Sequence, residues 1–427
     1  MRACTALLWA LAIAPALGQS SAVADGSSPA EVKPAESAPS PGEPDLLTRA
    51  YLTGDWGGAR SALADDGVTF DLRYTSTYQG LASGTGDEGY QYGGKVDAFV
   101  NLDSGRMGLW EGGGFRSHLE YRHGPAPASL GGAIFAVNSA LYWPVGSPDE
   151  LVATSLYFTQ KLGDRSSIAI GKFNPVDLLA ANLFYGGWGI DRFMNLIPVA
   201  PPSGVIPVVF MGAVASIRTA LVSWTIMVFD PEDRTNDYLP GDLFETGVNV
   251  SVRGAHVTTL AGRRTTFAAA GLYSTAEGVD YSSLAPGLGT STKQGSYNIS
   301  FEFAHDLQGS REQPDASWGF HLRVAVADGN PNYVQRSLIA GIGGRALFFG
   351  RPQDSFGLAA FYYNLSDVLQ DSLSPMTEFR DEAGIEAYYS YAVTPWLYVG
   401  ADIQYIKPAA GGFENALIPA LRAQTRF

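Results

Sequence analysis

From Val68 to the C-terminal Phe427 the chain changes character at every second residue. Val68, Phe70, Leu72 and Tyr74 alternate with Thr69, Asp71 and Arg73. Val96, Ala98, Val100 and Leu102 oppose Lys95, Asp97, Asn101 and Asp103, and Phe115, Leu119 and Tyr121 oppose Arg116, His118, Glu120 and Arg122. The pattern recurs in Val248, Val250 and Val252 against Asn249, Ser251 and Arg253, and in Trp318, Phe320, Leu322 and Val324 against His321 and Arg323. It returns in Leu397, Val399, Ala401 and Ile403 against Tyr398, Asp402 and Gln404. Successive side chains of a strand point to opposite faces, so strict alternation predicts strands whose two faces meet different solvents. Turn signals at Gly84–Gly89, Asp328–Pro331 and Ser366–Asp367 separate them. About 16 such segments fit the stretch Leu46–Phe427, which suits a mid-sized outer-membrane barrel.

Gly204–Phe229 comes nearest to a helical span, but Pro207 and Arg218 interrupt it. It reads as two strands, Val208–Ile217 and Ala220–Phe229, joined tightly near Arg218. The second places Val222, Trp224, Ile226 and Val228 outward and Ser223 and Thr225 inward, whereas the first is apolar on both faces.

A soluble sandwich, a propeller and a transmembrane barrel all alternate in this way. A sandwich face in bulk water is rich in Lys and Glu. Here the polar face is Ser, Thr, Asn, Gly and Tyr with scattered Arg and Asp, and the apolar face carries aromatics near strand ends, like an interfacial girdle. A bilayer tolerates only structures whose backbone hydrogen bonds close internally. The expected fold is therefore all-β, a closed antiparallel transmembrane β-barrel.

Composition agrees once the two faces are separated. The mean hydropathy of 0.00 averages a lipid face and a water face. Charged residues are 16 % of the chain against about 25 % in soluble domains, since one face of each strand carries almost none. A net charge of −14 argues against nucleic acid as a partner. A single cysteine, Cys4, excludes a disulfide scaffold and a Cys-rich zinc site. Residues 1–24 read as a signal peptide, with Arg2, an apolar run from Ala6 to Leu17, and Ala22-Val23-Ala24 before a cleavage at Asp25. Its loss removes Cys4 and shifts the net charge to −15. Residues 25–45, with Pro29, Pro34, Pro39, Pro41 and Pro44, read as a disordered tail. Residues 46–427 are left as one barrel domain. Leu421, Ala423 and Thr425 alternate with Arg422, Gln424 and Arg426 up to the terminal Phe427, a pattern like the assembly signal read by the barrel-insertion machinery.

Leu52-Thr53-Gly54-Asp55-Trp56-Gly57-Gly58-Ala59-Arg60, continuing through Gly67 into Val68-Thr69-Phe70-Asp71-Leu72, resembles the opening of the carbohydrate-selective porins of the OprB family. Gly171-Lys172-Phe173-Asn174-Pro175-Val176-Asp177, followed by Phe193-Met194-Asn195, is similar to a strand end and loop of that family. The resemblance implies a short helix before the first strand, 16 strands, and passive passage of sugars such as glucose. Asn174 and Pro175 replace an expected more acidic run.

A sugar pore requires no cofactor and no metal. It requires a narrowing whose Arg, Asp, Glu and Tyr groups replace part of the solute's hydration yet release it. Strand parity offers Arg116, His118, Glu120 and Arg122, joined by Asp71 and Arg73 and by Lys95 and Asp97 on neighbouring strands. The same row equally suits a network of lumenal ion pairs without solute contact. The long stretch Asn174–Ser203 is the candidate constriction loop, with Asp177, Tyr185, Trp188, Asp191 and Arg192 among glycines. Tyr185 and Trp188 are candidates to stack on sugar faces, and the alternative is an outer loop anchored at lipid head groups. Parity with Ile168 and Ile170 points Lys172 outward unless the strand ends first or a bulge reverses it.

An enzyme is not expected. His118, His123, His256, His305 and His321 lie in no nucleophile or metal motif. A general non-selective porin and a structural or adhesive barrel remain alternatives. The expected partners are sugars, outer-membrane lipid and the assembly machinery, with association of several barrels left open.

Overall fold

The computed structural model describes residues 45–125, 130–200, 202, 206–309 and 316–427. The expected signal peptide and all of the Pro-rich tail but Asp45 lie outside the described residues. Sixteen antiparallel strands close into one barrel, each beside its sequence neighbours, with the first against the last. They are β1 (Val68–Gly80), β2 (Tyr90–Asp103), β3 (Gly113–His123), β4 (Leu151–Lys161), β5 (Ser166–Phe173), β6 (Phe210–Arg218), β7 (Ser223–Phe229) and β8 (Asn249–Leu260). The second half is β9 (Arg263–Val279), β10 (Thr292–Gln308), β11 (Trp318–Ala327), β12 (Val334–Ala346), β13 (Arg351–Leu365), β14 (Glu382–Thr394), β15 (Leu397–Lys407) and β16 (Ala416–Arg426). Among the described residues no helix is long and apolar enough to cross a membrane.

Closure satisfies every strand edge, which is what lets a sheet cross lipid. The two faces divide as the alternation requires. Phe70, Leu72, Phe301 and Leu421 are exposed outward, where lipid covers them, while Asp71, Arg73, Asp97, Arg422 and Gln424 are buried inside. Short turns such as 162–165, 219–222 and 261–262 lie at one end, with the N-terminal helix and Phe427. The longer connections 124–150, 174–209 and 230–248 lie at the other. In outer-membrane barrels the short turns face the periplasm.

The turn near Arg218 falls where expected, between β6 and β7, with Trp224 and Val228 exposed and Thr225 buried. β6 is apolar inward for a packing reason. Phe210 and Val214 join Tyr157, Phe173, Met227 and Phe229 in an apolar layer lining that part of the wall.

The short helix Ala59–Asp65 precedes β1, as expected. Gly57 and Gly58 sit at φ +67° and +97°, a left-handed region costly to other residues, and this explains the paired glycines. Asp55 accepts hydrogen bonds from the Ser61 backbone and hydroxyl, both 2.9 Å. The Arg60 guanidinium lies over Tyr51 and Trp56 and donates to the Phe427 carbonyl oxygen at 2.6 Å. The motif thus clamps the seam where β1 meets β16.

Lys172 keeps its outward parity. Lys172 is paired in register with Leu156 on β4 and with Met211 on β6, so the strand has not ended before it and no register shift precedes it. The β7–β8 connection covers the ammonium, which donates to the Thr235 carbonyl at 2.6 Å and the Asp237 carbonyl at 3.0 Å.

Candidate functional site

The β5–β6 connection turns into the barrel rather than out of it. Asn174 starts it by capping the helix Pro175–Leu179, its side chain accepting from the Val176 backbone N–H. Gly187, Trp188 and Gly189 follow at φ +81°, +57° and +68°. This conformation costs a tryptophan about 1–3 kcal/mol, and the surrounding contacts hold it. A Cβ on Gly189 would collide with the Ser139 hydroxyl, so the glycine permits close approach of a second loop.

The loop is fastened to the far wall of the barrel. The Tyr185 hydroxyl donates to Glu302 on β10 at 2.9 Å. The Met194 and Asn195 backbone N–H groups donate to Glu386 on β14. Arg422 on β16 donates to the Gly189 and Arg192 carbonyls at 3.0 and 2.9 Å, and Gln424 donates to Asp191 at 2.9 Å. Arg323 on β11 donates to the Pro198 and Val199 carbonyls. The expected constriction loop therefore crosses the lumen.

A second inward loop is missing from the sequence reading. The β3–β4 connection pairs with the first, Ser139 N–H to the Met194 carbonyl at 2.7 Å and Leu196 N–H to the Ala136 carbonyl at 2.9 Å. Gln404 holds the Val137 carbonyl at 2.8 Å, and Glu382 accepts from the Ile134 N–H at 3.2 Å. Phe135, Val137 and Trp143 pack with Leu179, Phe184, Phe193 and wall residue Tyr363 into an apolar core inside the barrel. The only sequence signal was an unexpectedly apolar stretch around Ala133–Val137.

Most of the predicted charged row binds itself. The Lys95 ammonium lies 2.5 Å from Glu120 and 3.1 Å from Asp97. The two His118 ring nitrogens lie 2.9 Å from Asp97 and 2.8 Å from Asp177. Lys95, Asp97, His118 and Glu120 are at most 2 % exposed, so the solute-contact expectation is corrected for these four. Isolated buried charges are costly, and each of these has found a partner. Arg122 is buried too, donating to the Pro144 carbonyl at 3.1 Å. Asp97, His118 and Glu120 bring ligand-type atoms within 4.8 Å of one another. The Lys95 ammonium already supplies the cation there, so a metal ion would have to displace it.

Asp71, Arg73, Arg116, Asp177 and Trp188 line a cleft of about 50 Å³ beside the β1–β4 wall. Arg73 pairs with Asp71 at 2.6 Å and lies over the Trp188 ring at 4.9 Å. The Trp188 indole N–H donates to Asp177 at 2.6 Å, which also accepts from Ser155 at 2.5 Å. Arg116 donates to the Leu102 carbonyl and is half-buried. Asp191 sits between Arg73 and Arg426, 3.5 Å from each. Burial works against its ionisation, but Arg426, Arg73 and Arg192 outweigh it and hold the carboxyl well below the usual range. Arg192 contributes its backbone to Arg422 as well.

Tyr185 is a correction. It is 0 % exposed, with Arg323 3.9 Å over its ring, so it presents no open face to a sugar. Burial, with Glu302 alongside, pushes its phenol well above the ordinary value, so it serves as a neutral donor.

A profile described as carbohydrate-selective porin, OprB family, matches residues 87–427. The chain belongs to the OprB family of carbohydrate-selective porins. Porin B of Pseudomonas aeruginosa is 24 % identical over 431 residues, covering 88 % of this chain and 91 % of that protein. The high-pH structure of Pseudomonas putida OprB superposes with a TM-score of 0.77 at 20 % identity, covering 89 % of this chain and 99 % of that one. Its low-pH structure gives 0.56 at 17 % identity over the same shares. The barrel is thus a porin of the outer membrane. Family and fold together point to a channel rather than an enzyme.

Proposed function

We propose that this porin passes monosaccharides such as glucose by diffusion, with Asp71, Arg73, Arg116, Asp177 and Trp188 forming the selective edge of the narrowing. The observation that carries this reading is the β5–β6 loop, tied across the lumen so that both charge signs and one indole flank the remaining cleft. Paired guanidinium and carboxylate groups offer donors and acceptors to sugar hydroxyls without a net charge that would favour ions. The reading includes a cleaved signal peptide at 1–24, delivery by the barrel-assembly machinery through Phe427, and no catalysis. Proteoliposomes holding the purified porin should swell in glucose, and single-channel current should fall when glucose is added. Absence of both responses sinks the proposal. Deleting Phe427 should lower the amount inserted in the outer membrane, and normal levels would remove the assembly role.

A further inference from the structure

His118 sits where the barrel wall meets the inward loop. It projects into the lumen from β3, and Phe99 stacks on its ring at 4.1 Å. Its Nδ1 lies 2.8 Å from Asp177 Oδ1 on the loop, and its Nε2 lies 2.9 Å from Asp97 Oδ1 on β2. Each of those oxygens already faces a group that can only donate. Asp177 Oδ1 takes the Trp188 indole N–H at 2.6 Å, and Asp97 Oδ1 faces the Lys95 ammonium at 3.1 Å. The second Asp177 oxygen takes the Ser155 hydroxyl at 2.5 Å, whose oxygen in turn accepts the Asn174 backbone N–H at 2.9 Å. Neither bonding oxygen is free to hold a proton, so both ring nitrogens have to donate. The charge balance agrees. In direct contact, three carboxylates, Asp97, Glu120 and Asp177, face one ammonium, Lys95. The Asp71–Arg73 pair on β1, Arg116 on β3 and the Tyr157 phenol on β4 line the same cleft. An imidazolium supplies a second cation to the contact group.

We propose that His118 is a standing imidazolium and the positioning residue that holds Trp188 at the narrowing. The line runs from Asp97 on the wall through His118 to Asp177 and the indole. The inference rests on the sugar-pore reading above and adds what aims its indole. Trp188 sits at φ +57°, a costly conformation for a tryptophan, so its side chain needs a firm partner. A neutral ring donates from one nitrogen only and turns a lone pair on the other carboxylate, which breaks the line at the wall or at the loop. His118 is 1 % exposed, so it acts on a sugar only through Trp188.

The full-length porin, labelled with nitrogen-15 histidine and held in bilayers, reports the charge by NMR. A neutral ring shows one protonated and one bare nitrogen, and an imidazolium shows two protonated ones. The His118 signals are those absent from H118Q or shifted in D97N, either variant sufficing. Two protonated nitrogens are expected at pH 6 and at pH 8, either side of the ordinary histidine value of about 6.5. A bare nitrogen at pH 8 overturns the inference. The glucose concentration that half-blocks the single-channel current is measured at the same two pH values, and the wild type should give one value at both. In H118Q the amide donates toward one carboxylate only, and half-block should weaken by roughly threefold to tenfold at both, the equivalent of one lost hydrogen bond to a charged group. Asp97→Asn keeps an acceptor oxygen but removes its charge, so half-block should become about threefold weaker at pH 8 than at pH 6. An unchanged half-block in H118Q overturns the positioning role, and a flat profile in D97N overturns the part played by the charge. A wild-type current that ignores glucose overturns the pore reading instead, while the nitrogen spectrum still decides the state of His118.

Discussion

The inward loop has two unlike flanks. Toward β1–β4 it closes on a wall whose charges are paired with one another, and the space left is about 50 Å³. Toward β6–β10 it stands off the wall and leaves about 560 Å³. Both flanks use Arg, Asp and Glu at inward positions. They differ in how closely the loop approaches the wall. On the tight flank, Asp177 and Trp188 descend from the loop and complete the network of Lys95, Asp97, His118 and Glu120. On the open flank the loop presents Phe184 instead, and a wider space remains between it and the wall. The loop therefore completes a charge network where it reaches the wall and leaves open space where it does not.

The largest expected effect comes from freeing the loop. Glu386 accepts the Met194 and Asn195 backbone N–H groups, bonds of a kind worth about 1.5–3 kcal/mol each. Glu386→Ala should raise single-channel conductance severalfold and erase the difference between the flanks. An unaltered conductance would show that the remaining ties suffice.

Asp177→Ala is next. It removes the acceptor for Trp188 and Ser155 and one partner of His118. The tight flank should widen, and the glucose concentration that half-blocks the current should change by roughly threefold to tenfold, the equivalent of one lost hydrogen bond. If half-block stays fixed while conductance rises, the cleft is a passage without affinity.

Arg116→Ala should alter glucose-dependent block by about twofold to threefold with normal insertion, since Arg116 is half-buried and anchored to one carbonyl. An unchanged block would take Arg116 out of the narrowing.

The smallest effect concerns pH. Asp191 is depressed below the usual carboxyl range by Arg426, Arg73 and Arg192 against its burial. A depressed carboxyl contributes its anchoring above its ordinary value and loses it only as pH falls through the lowered one. Loop anchoring through Asp191 should therefore persist from pH 7 down past about 3.9. Open-channel noise recorded against pH tests this, with Asp191→Asn noisy already at neutral pH. A wild-type transition at or above the ordinary carboxyl value would contradict the pairing.

Much of the barrel was legible along the chain. Alternation in Val68–Tyr74 and in Leu397–Gln404 assigns each residue to lipid or lumen, because a strand has only two faces and the two solvents differ sharply. The turn at Arg218 follows from local residue types, the helix before β1 from the resemblance carried by Leu52–Arg60, and the candidate inner loop at Asn174–Ser203 from its length. The site was legible only in part. Parity places Lys95 and Arg116 on the same face, yet one is sealed in an ion network and the other half-open. Parity likewise cannot show that Tyr185 is covered by Arg323, a residue distant in sequence. Nor does it mark the β3–β4 connection as a second inner loop, since apolar residues between strands read as outer-loop packing until the partner surface is known.

The sequence by itself pointed to about sixteen strands and to the face of most of their side chains, which depend on neighbours along the chain, whereas the clamp of Arg60 on Phe427 exists only once the barrel has closed. The tertiary structure decided which lumenal charges pair with one another and where the inner loops leave space beside the wall. Ion pairing and burial depend on separations of a few ångströms between residues far apart in the chain, and those separations exist only once the loops have folded into the closed barrel.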